Sequence, residues 1–278
     1  MISIGAGATI AAVMRNTPVD QLETRMLLGH VTQLTRVQLI THAEHVLSAA
    51  EAEQLNSLFQ RRIAGEPIAY LLGKREFFGL TFQVDPAVLI PRPDTELLVE
   101  LALQHVPQQG RVLDMGTGSG AIAIAIAHTR GDTHVSALDV SASALLVAQN
   151  NAKTHQVDVE FLRSDWFAAL DGQQFDLIVS NPPYIVAGDR HLSEGDLRFE
   201  PIDALTDHAD GLSALRTISQ LAAQHLSDEG WLLMEHGYDQ AEAVRDLLTA
   251  NDFTQVQSWC DLANIERVTG GKKSGTAK

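Results

Sequence analysis

Residues 111–120 read RVLDMGTGSG, and this stretch decides the fold class of the chain. A run of strand-forming residues, 111–115, leads directly into a turn with three glycines, and a helical pattern follows over residues 119–129. Glycine permits tight turns and lets a backbone approach a ligand closely. The spacing is Gly-x-Gly-x-Gly rather than the dinucleotide Gly-x-Gly-x-x-Gly, so it indicates a ligand-binding turn of moderate specificity.

Strand and helix patterns alternate from this stretch onward. Strand patterns cover residues 111–115, 134–138, 158–163, 175–179, 229–235, 253–259 and 264–269. Helical patterns cover residues 119–129, 141–155, 212–226 and 238–250. The alternation predicts an α/β fold with a mostly parallel sheet covered on both faces, and with ligands bound along the edge where the strands end. The last two strand patterns have no helix between them, so we expect these strands to pair antiparallel.

The chain is expected to divide into four parts. Residues 1–73 predict a helical bundle, residues 74–90 a β-hairpin linker, residues 91–270 the α/β domain and residues 271–278 a flexible tail. The apolar residues at helical spacing in the bundle are Leu22, Met26, Leu27, Leu55, Leu58, Phe59 and Ile63. Pro91, Pro93 and Asp94 predict a helix start, with the Asp94 carboxylate as the cap.

Charge and composition limit the classes of function. The 278-residue chain is 45% apolar and carries a formal charge of −15, and residues 1–80 are neutral, so the net charge lies in the remainder. A negative field repels phosphate backbones and disfavours broad nucleic-acid binding. A single cysteine, Cys260, excludes a disulfide framework. Neither a signal-peptide pattern nor a run of about 20 apolar residues is present, so we expect a cytoplasmic protein.

Asp139 stands at the end of the next strand pattern, about 20 residues after the turn. An acidic side chain there can accept hydrogen bonds from the two vicinal hydroxyls of a ribose. Turn and acid together indicate a nucleoside cofactor. Taken alone, Asp139 could instead be the N-cap of the helix that follows.

The segment Asn181-Pro182-Pro183-Tyr184 directly follows the strand pattern FDLIVS. Two prolines make this segment stiff. An NH₂ group conjugated to a carbonyl or an aromatic ring is a poor nucleophile, because its lone pair is delocalised. The Asn181 side-chain oxygen and the Pro182 carbonyl could accept its two hydrogens and so orient the nitrogen toward a methyl sulfonium. The Tyr184 ring could stack on a planar substrate. The alternative interpretation is a rigid Pro-Pro turn capped by Asn.

Residues 114–120, Asp139 and residues 181–184 together resemble the class I methyltransferases that act on amino groups. Members of that class have a seven-stranded sheet and use S-adenosylmethionine. Three further stretches narrow the resemblance: EPIAYLLG (66–73), VLIPRPDTE (88–96) and FEPIDAL (199–205). They are similar to the HemK-type release factor glutamine methyltransferases, and the similarity covers nearly the whole chain.

The resemblance implies methyl transfer from S-adenosylmethionine to N5 of the glutamine in the Gly-Gly-Gln loop of peptide chain release factors. S-adenosylhomocysteine would be the product, and no metal would be involved. It also implies that the cofactor is bound by Gly116, Thr117, Gly118, Ser119, Gly120, Asp139, Trp166 and Asn181. Asn181, Pro182, Pro183 and Tyr184 would hold the glutamine, with Asn181, Pro182 and Tyr184 as the catalytic residues.

The acidic charge and the resemblance together predict a monomer. The charge also predicts no stable binding of nucleic acid, and no membrane binding is expected. The helical bundle, residues 1–73, could dock the folded protein substrate.

Two other functions remain open at this point. The same Asn-Pro-Pro-Tyr segment could serve a methyltransferase acting on adenine N6, cytosine N4 or guanine N2 of a nucleic acid, which would need a basic surface or a recognition domain. A non-enzymatic module could keep the fold without the activity. Arg92 and His236 are weaker candidates near the site, and His236 is more typical of a satisfied structural histidine than of a catalyst.

Overall fold

A computed structural model describes residues 4–275. The chain divides into two compact units, Met1–Gly73 and Lys74–Lys278. None of the helices within residues 4–275 is long and apolar enough to cross a bilayer.

The first unit is a bundle of five helices. They are α1 (Ile10–Arg15), α2 (Gln21–Thr32), α3 (Arg36–Thr41), α4 (Ala49–Ile63) and α5 (Ile68–Leu72). Helix α4 begins where Ser48 accepts a hydrogen bond from the Glu51 N–H, and the Glu51 carboxylate accepts one from the Ser48 N–H over 2.7 Å. This reciprocal cap satisfies two N–H groups that a helix start leaves free.

The core of the bundle uses only part of the apolar pattern. Leu27, Leu55 and Phe59 are buried in it. Leu22 is 59% exposed and Met26 is 38% exposed. The spacing of these residues correctly predicts helices, but it does not show which of the apolar side chains are buried in the core.

The second unit opens with a β-hairpin. Strands β1 (Lys74–Phe77) and β2 (Leu80–Gln83) pair antiparallel around Phe78 and Gly79. Both turn residues have positive φ, 49° and 72°. A two-residue turn of this kind matches the twist of the strands that it joins.

The rest of the second unit is a seven-stranded sheet with five helices. Its strands are β3 (Arg111–Met115), β4 (His134–Asp139), β5 (Val159–Arg163), β6 (Phe175–Ser180), β7 (Leu226–Glu235), β8 (Phe253–Cys260) and β9 (Glu266–Lys273). Its helices are α6 (Glu96–His105), α7 (Ala121–Thr129), α8 (Ala142–His155), α9 (Ser213–His225) and α10 (Ala241–Ala250). Every strand and helix predicted after residue 110 is present, with ends that differ by at most four residues.

The strand order is β5-β4-β3-β6-β7-β9-β8. The first five strands in this order are mutually parallel, whereas β9 pairs antiparallel with both β7 and β8. The chain moves outward from β3 to β5 and then returns to place β6 on the other side of β3. The ends of β3 and β6 therefore meet at the switch point of the sheet, which is where open α/β sheets bind ligands.

Both faces of the sheet are covered. Along β3, Val112 packs into the cluster on one face with α6 and α7, whereas Leu113 and Met115 pack into the cluster on the other face with α9 and α10. This alternation follows from the two-residue period of a strand. The α/β fold with a mostly parallel seven-stranded sheet, a helical N-terminal unit and a β-hairpin is confirmed.

Two details differ from the sequence predictions. Asp94 does not cap a helix: the short 3₁₀ turn Pro93–Thr95 and helix α6 have no side-chain cap, and Asp94 instead lies 3.4 Å from the Arg267 guanidinium. Strand β9 extends to Lys273, into the predicted flexible tail, because Gly271 and Lys272 pair with β7. Residues 276–278 of that tail lie outside the described residues.

Candidate active site

The glycine-rich turn at the end of β3 is built from backbone conformations that favour glycine. Gly116, Gly118 and Gly120 have φ values of 73°, 54° and 82°. A Cβ at Gly120 would lie 2.8 Å from Ile124 and 3.1 Å from Ala148, so a side chain here would separate α7 from α8. The turn is thus fixed both by its dihedral angles and by close helix packing.

Asp114, inside β3, holds the turn in place through hydrogen bonds of its side chain. Its Oδ2 accepts hydrogen bonds from the Thr117 hydroxyl over 2.7 Å and from the Ala123 N–H over 3.2 Å. Its Oδ1 is buried without a hydrogen-bond partner among the described residues. Burial raises the pKa of this carboxyl to about 7, although the bonds from Thr117 and Ala123 oppose the rise.

Asp139, at the end of β4, faces the turn. Its Oδ2 accepts from the Gly118 N–H and its Oδ1 from the Ser141 N–H, each over 2.9 Å. The N-cap of α8 is Ser141, whose side chain accepts from the Ala144 N–H. Asp139 is therefore not the helix cap, and each of its oxygens keeps a lone pair for a ligand. Burial raises the pKa of this carboxyl above its usual value.

A cavity of about 290 Å³ opens beside the turn. Its size lies near the lower end of typical small-molecule sites, roughly 300–1,000 Å³. Of the residues predicted to bind cofactor or substrate, those that line it are Gly116, Gly118, Asp139, Trp166, Asn181 and Pro183. The other predicted residues do not line it: Thr117, Ser119, Gly120, Pro182 and Tyr184. Most of the predicted site thus gathers around one cavity, although the sequence separates its members widely.

Trp166 is held in an uncommon backbone conformation, with φ of 46°. The Ser164 hydroxyl donates to the Trp166 carbonyl over 2.7 Å and accepts from the Ala169 N–H over 3.0 Å, which supports the bend. The half-buried indole lies at the cavity wall and against the core. A planar ligand group in the cavity would find an aromatic surface here.

The segment 181–184 leaves β6 beside the glycine-rich turn. The Ser180 hydroxyl donates to the Met115 carbonyl over 2.8 Å and so ties the ends of β6 and β3 together. The Asn181 side-chain N–H donates to the Thr95 hydroxyl over 3.2 Å. Pro182 is buried and Asn181 is partly exposed to the cavity. Asn181 therefore lies at the cavity, where the end of β6 meets the glycine-rich turn.

Tyr184 is anchored by the carboxyl of Glu235, in the segment Glu235-His236-Gly237 whose position after a strand suggests that it borders the pocket. Its hydroxyl donates to Oε1 of Glu235, at the end of β7, over 3.2 Å. Glu235 is buried, and its Oε2 has no hydrogen-bond partner among the described residues. Burial raises the pKa of Glu235 to about 7, although the nearby polar side chains of Thr95 and Tyr184 oppose the rise. The pKa of Tyr184 is also raised, first by burial and then by the Glu235 charge.

The backbone of the segment is clamped by Gln240, another residue without a sequence signal. Its side-chain N–H donates to the Tyr184 carbonyl over 3.0 Å and to the Gly211 carbonyl over 3.2 Å, and its oxygen accepts from the Gly237 N–H. A Cβ at Gly211 would lie 2.5 Å from the Tyr184 carbonyl oxygen. Glycine at position 211 therefore permits the close approach that fixes the segment.

Glu200 joins two walls of the cavity. Its side chain is fully buried, pairs with Arg92 and accepts from the Ile90 N–H over 2.9 Å. One wall contains residues 87–89 and the other contains residues 201–204. Arg92 is thus a structural partner of Glu200 and is not among the residues that line the cavity.

His236 has a structural role. It is fully buried, and its ring nitrogens hydrogen-bond to the Gly237 carbonyl and the Thr269 hydroxyl, each over 2.8 Å. Burial lowers its pKa. Within residues 4–275, no group of three or more His, Cys, Asp or Glu side chains could hold a metal ion.

The donors and acceptors around the cavity suit S-adenosylmethionine. Lone pairs on Asp139 can accept from the two ribose hydroxyls, and Trp166 offers an aromatic surface for the adenine. At Gly116 and Gly118 a Cβ would meet nothing within 4 Å, so the backbone there allows close approach of the rest of the cofactor, beyond its adenine and ribose. The residues present therefore fit the cofactor that the sequence predicts.

Family comparisons agree with both units of the chain. Residues 9–73 match the family described as "PrmC N-terminal domain". Residues 92–194 match the family described as "Methyltransferase small domain". The first match falls within the helical bundle and the second includes the glycine-rich turn and the segment 181–184.

Similar curated proteins carry one name, release factor glutamine methyltransferase. The protein from Burkholderia pseudomallei is 53% identical over 96% of this chain and 97% of its own length. That from Neisseria gonorrhoeae is 51% identical over 91% of this chain and 94% of its own length. That from Escherichia coli is 45% identical over 90% of this chain and 91% of its own length.

Solved structures support the fold. A methyltransferase from Pyrococcus furiosus matches with a TM-score of 0.55 at 17% identity, over 77% of this chain and 97% of its own. A 16S rRNA methyltransferase from T. thermophilus, solved with AdoMet and guanosine, matches with a TM-score of 0.53 at 23% identity, over 72% of this chain and 49% of its own. The α/β unit therefore has the class I methyltransferase fold.

Proposed function

The chain belongs to the release factor glutamine methyltransferase family, and from this premise we propose how its residues carry out the reaction. The enzyme uses S-adenosylmethionine to methylate a glutamine of peptide chain release factors. We place the new methyl group on the side-chain amide nitrogen, N5, of the glutamine in the Gly-Gly-Gln loop. The product of the cofactor is S-adenosylhomocysteine.

The observation that carries this proposal is the position of Asn181. Its amide borders the cofactor cavity, and its N–H is already engaged by Thr95. Its oxygen therefore remains available as an acceptor for a substrate NH₂ group. A hydrogen-bond acceptor fixed beside a methyl donor is what an amide nucleophile needs, because the amide lone pair is delocalised into the carbonyl.

Cofactor binding is assigned to the residues around the turn. Asp139 accepts from the ribose hydroxyls, Trp166 contacts the adenine, and the backbone of residues 116–120 borders the remaining part. Asn181 completes this wall. When bound, S-adenosylmethionine supplies an electrophilic methyl group on a positively charged sulfur.

Asn181 and Pro182 hold the glutamine. The Asn181 side-chain oxygen and the Pro182 carbonyl accept the two N5 hydrogens, which restricts rotation of the amide and stabilises the positive charge that develops on N5. Pro183 keeps the segment stiff, and the Tyr184 ring packs on the planar amide. The N5 proton then passes to water, because an N-protonated amide is a strong acid.

The reaction at N5 is tested by mass spectrometry of the modified release factor, with Asn181→Ala as the decisive variant. Loss of the acceptor should lower kcat by about 10²–10³-fold, the range for removal of one transition-state hydrogen bond. Asn251→Ala is the matched control, because the Asn251 side chain only donates to the Leu247 carbonyl on α10. A methyl group found on any residue but the loop glutamine, or Asn181→Ala enzyme with the parent kcat, would contradict the proposal.

We assign substrate docking to the helical unit. Leu22, Met26, Val37 and Ile40 are large apolar side chains on α2 and α3, and all four are exposed. Exposed apolar side chains are typical of surfaces that bind another protein. A folded protein substrate offers the apolar surface that such a unit could recognise.

Three further properties belong to the same proposal. We expect the enzyme to act as a monomer in the cytoplasm and to bind neither nucleic acid nor membranes stably. The support is the charge of −15, which lies entirely in residues 81–278 and repels phosphate groups. The curated relatives give no support to the alternative of a nucleic-acid base as substrate.

A further inference from the structure

The Pro182 carbonyl, the second acceptor of the proposed reaction, belongs to the backbone, so its direction depends on how residues 181–184 are held. The segment begins at the end of β6, which the Ser180 hydroxyl ties to β3. The rings of Pro182 and Pro183 fix two φ angles. With one end tied and two angles fixed, the position of the Tyr184 carbonyl at the other end largely decides where the Pro182 carbonyl points.

Gln240, which directly precedes α10, holds the Tyr184 end. Its side-chain NH₂ group donates to the Tyr184 carbonyl over 3.0 Å and to the Gly211 carbonyl over 3.2 Å, and its side-chain oxygen accepts from the Gly237 N–H over 2.8 Å. Both N–H hydrogens of the amide therefore have a partner. If the amide turned over, its oxygen would face two carbonyl oxygens and its NH₂ group would face an N–H, so only one orientation is stable.

His236 in turn holds the backbone of Gly237. The Gly237 carbonyl lies 2.8 Å from Nδ1 of His236 and can only accept, so Nδ1 carries the hydrogen. His236 is fully buried, and burial lowers its pKa, which favours the neutral ring. Nε2 of the neutral ring accepts from the Thr269 hydroxyl over 2.8 Å. The N–H of Gly237 thus bonds to Gln240 and its carbonyl to His236, so the anchor of Gln240 is itself fixed.

Gly211 approaches the same carbonyl from the loop before α9. A Cβ at this position would lie 2.5 Å from the Tyr184 carbonyl oxygen and 2.9 Å from Nε2 of Gln240. The Asp207 carboxylate accepts from the Gly211 N–H over 3.0 Å and so keeps the loop in place. A side chain at position 211 would therefore displace both partners of the hydrogen bond between Gln240 and Tyr184.

We propose that Gln240 is a positioning residue for methyl transfer and that Gly211 makes its contact possible. Gln240, oriented by Gly237, fixes the Tyr184 carbonyl and so directs the Pro182 carbonyl at the substrate NH₂ group. The inference rests on the proposed function, because it explains how the second acceptor of that function is aimed. Gln240 is not among the residues that line the cavity, so it acts through the segment and not on the reacting atoms.

The direct test is Gln240→Met, assayed by steady-state kinetics on a release factor. Methionine has a similar length but no donor, so the Tyr184 and Gly211 carbonyls lose their partner. We expect kcat to fall about tenfold or more, because a misplaced reacting group can cost up to about 10²-fold. The Kd for S-adenosylmethionine, measured by calorimetry, should change by less than about threefold, since Gln240 does not line the cavity.

Asn151→Leu is the matched comparison, because Asn151 makes the same three kinds of hydrogen bond. It donates to the Gln83 and Ser119 carbonyls over 3.0 and 2.9 Å and accepts from the Gln83 N–H over 2.7 Å. Asn151 and Gln240 are both buried, with 1% and 9% exposure. Loss of the Asn151 amide loosens the cofactor turn, so the KM for S-adenosylmethionine should rise while kcat at saturating cofactor stays within about threefold of the parent. Gln240→Met should show the opposite pattern.

Gly211→Ala tests the same carbonyl independently. Gly211 and Gly188 both have φ of 77°, so alanine strains the backbone in the same way at the two positions. A Cβ at Gly188 would meet nothing within 4 Å, whereas a Cβ at Gly211 would meet the Tyr184 carbonyl. We expect kcat to fall about tenfold or more in Gly211→Ala and to stay within about threefold of the parent in Gly188→Ala. This pair decides the matter if Gln240→Met does not fold.

Three outcomes would overturn the inference: a Gln240→Met kcat within about threefold of the parent, equal kcat losses in Gln240→Met and Asn151→Leu, or equal kcat values in Gly211→Ala and Gly188→Ala. Thermal unfolding of each variant sets an assay temperature at which all of them are folded. The proposed function fails separately, when the parent enzyme does not methylate the release factor at all. A parent that methylates the factor while Gln240→Met and Gly211→Ala remain fully active contradicts the positioning role alone.

Discussion

The Gly118 N–H donates a hydrogen bond to Oδ2 of Asp139 over 2.9 Å, which joins the two parts of the chain that the sequence connects with a nucleoside cofactor. Gly118 belongs to the turn after β3 and Asp139 ends β4. The bond holds the carboxylate at the cavity wall. It also means that Asp139 organises the turn as well as facing the ligand.

Replacement of Asp139 by alanine should therefore weaken cofactor binding strongly. Hydrogen bonds to a charged group contribute about 1.5–3 kcal/mol, and about 1.4 kcal/mol corresponds to a factor of ten in affinity. We expect the Kd for S-adenosylmethionine, measured by calorimetry, to rise about 10- to 100-fold. Asp132→Ala is the control, because Asp132 also accepts a backbone N–H, that of Gln109, but lies outside the cavity wall. Equal affinities of the parent and Asp139→Ala would refute the ribose assignment.

Glu200 should matter more to stability than an ordinary surface acid. Glu200→Ala leaves the Ile90 N–H and the Arg92 guanidinium without their buried partner. Breaking a buried ion pair costs about 3–5 kcal/mol, but Arg92 is about one third exposed, so a loss of about 2–3 kcal/mol in the free energy of unfolding is expected. Hydrogen exchange at the Ile90 amide should become faster.

The control for Glu200 is Glu266→Ala, which removes another glutamate paired with an arginine. Glu266 is 42% exposed and contacts Arg245. An exposed pair contributes about 0–1 kcal/mol. Urea unfolding that gives equal losses for the two variants would show that Glu200 does not tie the cavity walls together.

The pH dependence of stability should reveal Glu235. Its pKa is raised from 4.5 to about 7 in the folded protein, so between these values the folded state holds more protons than the unfolded state. Stability then falls as pH rises through this window, by at most about 1.4 kcal/mol per pH unit for one group. Relative to Glu235→Gln, the parent should lose stability between pH 5 and about 7 and change little above that range.

Urea unfolding of the parent and Glu235→Gln at several pH values checks this expectation. Burial also raises the pKa of Asp114 to about 7. Asp114 therefore contributes the same pH dependence of stability to both proteins. The difference between them isolates Glu235. Parallel curves from pH 5 to pH 8 would mean that Glu235 titrates normally in the folded protein.

The helical unit should affect the release factor and not the cofactor. Leu22 and Met26 are exposed and lie four residues apart, so they share one face of α2. Replacing both by glutamine should raise the KM for the release factor about tenfold and leave the KM for S-adenosylmethionine unchanged, because a few apolar anchors often carry an interface. Arg25→Gln, also on α2, is the control. An unchanged KM for the release factor would locate docking elsewhere.

The sequence predicts the sheet well because its signals are local. Residues 111–115 form β3 as predicted, and the segment 181–184 follows β6 directly. An apolar strand pattern followed by a glycine turn leaves few structural alternatives, and parallel pairing then brings distant strand ends to one edge. This explains why the sequence alone predicts that Gly118, Asp139 and Asn181 lie near one another.

The supporting residues could not be predicted because their partners are far away along the chain. Glu200 hydrogen-bonds to a residue 110 positions earlier, and Asn151 links the hairpin to the turn across 68 and 32 positions. Gln240, which donates to the Tyr184 and Gly211 carbonyls, also carries no local motif. The roles of these side chains depend on tertiary contacts, which periodicity and turn rules do not describe.

The most direct test of the proposed reaction uses labelled S-adenosylmethionine with three acceptors: a release factor, the same factor with its loop glutamine changed to alanine, and duplex DNA. We expect label in the unmodified release factor alone. Label in the DNA with none in the release factor would contradict it and would assign the same acceptor chemistry to a nucleic-acid base.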